Sequence, residues 1–133
     1  ERTLSKTPCD FTRINDDYAC HATRYLYAAV FNPSRPFTFD GVMKYDNANG
    51  ATTEYFYGSD CYGGEAVFAP RIGSSSEDDG FLICFIHDEG KEQSECLIID
   101  AQDIAAGPVA RVIMPFRVPY GFHSGWVSAD AGL

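Results

Sequence analysis

Apolar residues in this chain fall in short runs, with turn-forming residues between them. Arg24 to Phe31 (RYLYAAVF) is rich in aromatic and β-branched side chains, and Asn32-Pro33-Ser34-Arg35-Pro36 ends it. Phe37 to Tyr45 (FTFDGVMKY) is the next run. Asp46-Asn47-Ala48-Asn49-Gly50 then reads as a turn, because Asn and Gly tolerate the positive φ that tight turns demand. Thr52 to Tyr57 is the expected returning strand of that hairpin. Ala66 to Ala69 forms a short run after Gly63-Gly64-Glu65. Phe81 to His87 (FLICFIH) is almost continuously apolar, which predicts a strand buried on both faces. Asp88 to Gln93 is a charged turn, Glu95 to Asp100 its partner strand, and Val109 to Met114 a further strand. Asp103-Ile104-Ala105-Ala106 fits one helical turn, and no longer helical period appears.

About seven short strands with short connections make the fold all-β. A sandwich, a barrel or a few propeller blades would each satisfy the pattern. Composition narrows function more than fold. The formal charge of −9, with no Lys/Arg cluster, argues against a nucleic-acid partner, whose phosphates would be repelled. No apolar run approaches the ~20 residues of a membrane-spanning helix. The cysteines are Cys9, Cys20, Cys61, Cys84 and Cys96, an odd count with no C-x-x-C spacing. That pattern argues against a zinc ribbon and against a complete disulfide framework, and it fits a reducing compartment. Cys84 and Cys96 sit in strand-like runs and are expected to pack as small hydrophobes.

Candidate chemistry centres on Val118-Pro119-Tyr120-Gly121-Phe122-His123, which holds one of only three histidines. Pro119 stiffens the approach, and Gly121 allows close backbone contact. By spacing alone His123 is either a metal ligand or a histidine satisfying a hydrogen bond at a strand end. Glu65 enters an apolar run, so it either faces solvent or needs a partner, and a histidine N–H is a natural one. His87 reads as a surface histidine beside acidic turn residues, and His21 lies in a loop-like stretch. Glu77-Asp78-Asp79 reads as a solvated acidic loop, since it lacks the spaced oxygens of a calcium loop.

From about Phe39 onward the chain resembles the C-terminal part of the carotenoid cleavage dioxygenases, with the flavour of plant and algal members. Gly41-Val42-Met43-Lys44-Tyr45-Asp46 is similar to the family's "G-hydrophobic-x-K-x-D" strand. Tyr57-Gly58 through Tyr62-Gly63-Gly64-Glu65 resembles "Y-G…Y-G-G-E". Glu77-Asp78-Asp79-Gly80-Phe81 and Phe85-Ile86-His87-Asp88-Glu89 resemble "E-D-(D/E)-G-(Y/F)" and "F-V-H-D-E". Ser94-Glu95 with Ile99-Asp100-Ala101 follows "S-E-L…(D/N)-A". Pro115-Phe116-Arg117-Val118-Pro119-Tyr120-Gly121-Phe122-His123 matches "P-x-R-V-P-Y-G-F-H". Residues 1–37 match more loosely.

The resemblance implies the C-terminal blades of a seven-bladed β-propeller, with residues 1–133 forming the C-terminal part of one domain. It implies an Fe(II) held by four histidines, with His123 the last of them and the other three upstream, outside this chain. Glu65 becomes the carboxylate that orients His123, and Asp10 stands where a second such glutamate is expected, one methylene shorter. Phe122 is implied as a wall of the substrate tunnel. Phe11 is a second, weaker wall candidate, and core packing is the competing role for both. The implied reaction adds O₂ across a double bond of a carotenoid or apocarotenoid and yields two carbonyl products. The implied partners are that substrate, O₂, the rest of the propeller and a membrane surface touched peripherally. The implied compartment is the plastid, otherwise the cytoplasm. A different class also satisfies the sequence: a non-catalytic propeller-derived subunit in a larger, pigment-containing assembly.

Overall fold

Two four-stranded antiparallel meanders make up the computed structural model, which describes residues 3–129. The first contains β1 (Cys9–Arg13), β2 (Tyr25–Phe31), β3 (Phe39–Asp46) and β4 (Thr52–Phe56). The second contains β6 (Val67–Pro70), β7 (Gly80–Asp88), β8 (Gln93–Asp100) and β9 (Pro108–Ile113). Between them β5 (Cys61–Gly63) pairs once with β3, Phe39 opposite Gly63, and along its length with β7. Single 3₁₀ turns lie at Asp16–Tyr18 and Ile104–Ala106.

Turn chemistry sets the register of the first meander. Gly50 adopts φ 76°, its N–H donates to the Asp46 carbonyl at 2.8 Å, and Tyr45 lies opposite Thr52. Alternation then decides which side chains meet. Tyr27, Val42, Phe68, Leu82, Leu97, Ile99 and Ile104 belong to one buried cluster drawn from both meanders. Each large aliphatic side chain removed from water contributes about 1.5–3 kcal/mol. The strand β7 departs from the expectation of two buried faces. Leu82, Cys84 and Ile86 are buried, but Phe81 and Ile83 are half-buried and Phe85 is 44% exposed. An unbroken apolar run thus has one core face and one open face.

The acidic loop before β7 is not solvated. The Glu77 carboxylate accepts the N–H groups of Arg24 and Tyr25 at 2.8 and 2.9 Å. Asp78 is buried and accepts from Lys44 Nζ at 2.8 Å, and Asp79 accepts from Arg71 Nε at 2.7 Å. Lys44 also donates to the Ala101 carbonyl at 2.8 Å and lies over the Tyr25 ring. Burial alone would raise the carboxyl pKa of Asp78, yet the Lys44 ammonium holds it below its ordinary value. These charges therefore tie β3 to the second meander. All five cysteines are free. No helix among the described residues is long and apolar enough to cross a membrane.

Candidate functional site

Three distant segments converge on His123: the end of β1, the β5–β6 connection and the coil after β9. The β5–β6 connection carries Gly63-Gly64-Glu65. A Cβ on Gly64 would lie 2.5 Å from the Gly121 carbonyl oxygen, so the coil rests directly on Gly64. Gly121 itself has nothing within 4 Å of its own Cβ position. The close approach expected at Gly121 is real, but the residue that must be small is Gly64.

Glu65 does not face solvent; its side chain is 4% exposed. Its Oε1 accepts from Arg13 Nε at 2.6 Å, and its Oε2 accepts from the Ser124 N–H at 2.6 Å. His123 Nδ1 lies 3.7 Å from the same Oε2, beyond hydrogen-bond length but within ion-pair range. A carboxylate oxygen has two lone pairs, so Oε2 has capacity for both neighbours. The His123 side chain is 76% exposed.

Phe11 is not a simple core residue. Its ring packs edge-on against His123, centroids 5.0 Å apart, and against Phe122 at 6.1 Å. It also touches Phe39 at 5.1 Å, which roots it in the sheet. Phe11 has φ 52°, rare for an aromatic residue, and the β1–β2 register slips between Asp10 and Arg13. Such bulges re-aim side chains. Asp10 is exposed and accepts the N–H of Phe11 at 2.8 Å, a local contact within its own strand. Phe122 is 63% exposed and borders a cleft of about 160 Å³ with Gly64, Glu65, Phe85, Val118 and His123.

The coil from residue 115 to 124 is anchored by side chains of the second meander. His87 is buried at 5% exposure, contrary to its surface reading. Arg117 Nε lies 3.4 Å from His87 Nε2, and a guanidinium can only donate. Nε2 therefore accepts, and Nδ1–H donates to Ser94 Oγ at 2.9 Å. The same Oγ accepts the Val118 N–H at 2.9 Å. Tyr120 donates its hydroxyl to Glu89 at 2.8 Å, and Arg35 donates to the other Glu89 oxygen at 2.6 Å. The acidic turn thus holds the coil, and His87 sits underneath it. His21 is exposed. Among the described residues no cluster of three or more His, Cys, Asp or Glu side chains is placed to hold a metal ion. What this chain offers is one imidazole with a carboxylate behind it.

Arg13 and Ser124 escaped the sequence reading. Arg13 stands 52 residues from Glu65, and nothing in local spacing announces the pair. A buried Glu without a nearby cation was the one signal that an arginine had to come from elsewhere.

Four-stranded antiparallel meanders set side by side are the blades of a β-propeller, and comparison with known structures agrees. The retinal pigment epithelial membrane protein (RPE65) family profile matches residues 1–128. The carotenoid 9,10(9',10')-cleavage dioxygenase of Crocus sativus is 38% identical over 145 residues, covering 98% of this chain and 26% of that protein. The chloroplastic 9-cis-epoxycarotenoid dioxygenase of Arabidopsis thaliana is 39% identical over 117 residues, covering 88% of this chain and 19% of that protein. A cobalt-substituted apocarotenoid oxygenase from Synechocystis superposes with a TM-score of 0.88 at 29% identity, covering 96% of this chain and 27% of that one. The chain belongs to the RPE65/carotenoid oxygenase family. It is a piece of the propeller fold, spanning about a quarter of the length of the curated relatives it matches.

Proposed function

We propose that this chain is the C-terminal part of an iron-dependent dioxygenase that cleaves one double bond of a carotenoid or apocarotenoid with O₂, giving two carbonyl products. The observation that carries this is the buried Glu65 carboxylate, 3.7 Å behind the Nδ1 of an exposed His123. The donor set fits one corner of a multi-histidine ferrous site, because a neutral imidazole backed by a carboxylate is the usual form of a histidine ligand. Iron, when bound, supplies the activation of O₂.

The roles of the chain's own residues follow from their contacts. Glu65 faces Nδ1 of His123 at 3.7 Å; closing that gap with a metal bound would make it the acceptor of the Nδ1 proton, fix the tautomer and leave Nε2 to hold the metal. Ser124 N–H shares that carboxylate oxygen and sets the height of the imidazole. Phe11 packs against the ring and restricts its rotation. Phe122 presents an apolar face to the cleft, where a polyene has nothing polar to desolvate. Asp10 is exposed and accepts the Phe11 N–H through Oδ1, and the histidine it would orient lies among the upstream ligands outside this chain.

The relatives named chloroplastic support a plastid location. An apolar polyene dissolves in lipid rather than water, which supports peripheral contact of the whole enzyme with a membrane. Val109, Val112, Ile113 and Phe116 are each at least half exposed, and the remaining blades of the same domain are the fitting cover. A non-catalytic subunit would need that cover too, but it would have no use for a carboxylate buried behind a histidine. The test is product analysis with the protein that carries this chain. Wild type converts a carotenoid or apocarotenoid into two carbonyl fragments, and His123→Ala yields none. Normal turnover by His123→Ala sinks the reading.

A further inference from the structure

Among the described residues, Arg13 is the cation that reaches the Glu65–His123 corner through more than one bond. Its Nε donates to Glu65 Oε1 at 2.6 Å, and a terminal guanidinium nitrogen donates to the Ser124 carbonyl at 2.5 Å. Ser124 N–H returns to Glu65 Oε2 at 2.6 Å. The three residues therefore close a ring of hydrogen bonds between β1, the β5–β6 connection and the C-terminal coil. Both backbone polar groups of Ser124, the residue after His123, are used in that ring.

We infer that Arg13 is a positioning residue for His123: it occupies one oxygen of Glu65, so that the other alone faces the imidazole, and it clamps the coil one residue beyond the ligand. Two further observations point the same way. Cys9, Phe11 and Arg13 share the partly buried face of β1, so Phe11 and Arg13 reach the ring and its carboxylate from one strand. The positive φ of Phe11 and the register slip beside it place that face against the site. A planar fork of fixed donors suits this double task, and a lysine ammonium, a single point charge, satisfies only part of it. The inference deepens the proposed function and rests on His123 being a ligand.

The experiment compares wild type, Arg13→Gln, Arg13→Lys and His123→Ala of the iron-loaded protein that carries this chain. Iron per chain, iron release to a ferrous chelator, melting temperature, kcat and KM are measured for each. The expected result is iron release roughly 10-fold or more faster in Arg13→Gln, an intermediate rate in Arg13→Lys, and a lower kcat at unchanged KM. If Arg13→Gln does not fold, Arg13→Lys, which keeps the charge and the hydrocarbon stem, decides by the same readout. A release rate within twofold of wild type in the folded Arg13 variants, even with a lowered melting temperature, overturns the inference. In that case loss of iron by His123→Ala leaves the ligand reading standing. Wild-type iron retention by His123→Ala removes the ligand reading and this inference with it.

Discussion

Replacing Gly64 by Ala tests the geometry of the site at its tightest point. The added Cβ would sit 2.5 Å from the Gly121 carbonyl oxygen, against a normal carbon–oxygen contact of about 3.3 Å. The coil must therefore retreat by roughly 0.8 Å on that contact distance. It is not free to do so, because Tyr120 is bonded to Glu89 on one side and Ser124 to Glu65 on the other. The 2.6 Å bond from Ser124 to Glu65 is the one that a retreating coil stretches. Overpacking of this kind costs about 1–3 kcal/mol in stability. A misplacement near 1 Å at a reacting centre costs on the order of 10²-fold in rate. The expected outcome for Gly64→Ala is thus a folded protein with turnover lowered about tenfold to a hundredfold, assayed as loss of polyene absorbance. Gly121→Ala is the control, since its Cβ meets nothing within 4 Å. Wild-type turnover in Gly64→Ala, or greater damage from Gly121→Ala, would refute the claimed contact.

Ser94→Ala removes the acceptor of both His87 Nδ1–H and Val118 N–H, and leaving the buried His87 donor unpaired costs about 1–3 kcal/mol; thermal melting should fall, and an unchanged melt would show that the coil is held elsewhere. The carboxyls of Asp46 and Glu89 are both lowered to about 2, by Arg24 for Asp46 and by Arg35, then Tyr120, for Glu89. Because their folded pKa values are depressed, their stabilisation is present above the ordinary carboxylate range and is lost as pH falls from that range to about 2. Urea midpoints across that window should drop, and replacing Arg24 and Arg35 by Met should flatten the drop; an identical slope in the double variant contradicts the assignment. Burial pushes the Cys84 thiol up to about 12, whereas Cys20 is exposed. A thiol reagent should label Cys20 quickly in the native protein and Cys84 only after unfolding, and rapid native labelling of Cys84 would place it outside the core.

Much of the sheet was legible because its signals are local. The Asn/Gly turn announced the β3–β4 hairpin, and two apolar runs around a charged turn announced β7 and β8. The strand β1 went unseen because it alternates with Asp10 and Thr12 and carries a positive φ at Phe11. The strand β5 is three residues long, too short for any period to show. Burial on both faces of β7 was overestimated since composition cannot tell a core face from one that borders a cleft, where Phe85 lies. The resemblance named His123 and Glu65, but it could not show what holds them. Arg13 with Glu65, His87 with Ser94 and Arg117, and Glu89 with Tyr120 are contacts across 7 to 52 residues of chain. Charges such as Glu77 and Asp78 read as solvated one by one, and only folding brings Arg24 backbone and Lys44 to them.

The most direct test is the iron content of the purified protein that carries this chain, measured per polypeptide in wild type, His123→Ala and Glu65→Gln at matched folding by circular dichroism. The proposed site predicts close to one iron in wild type, little or none in His123→Ala, and weakened retention in Glu65→Gln. Full iron occupancy in His123→Ala would contradict it.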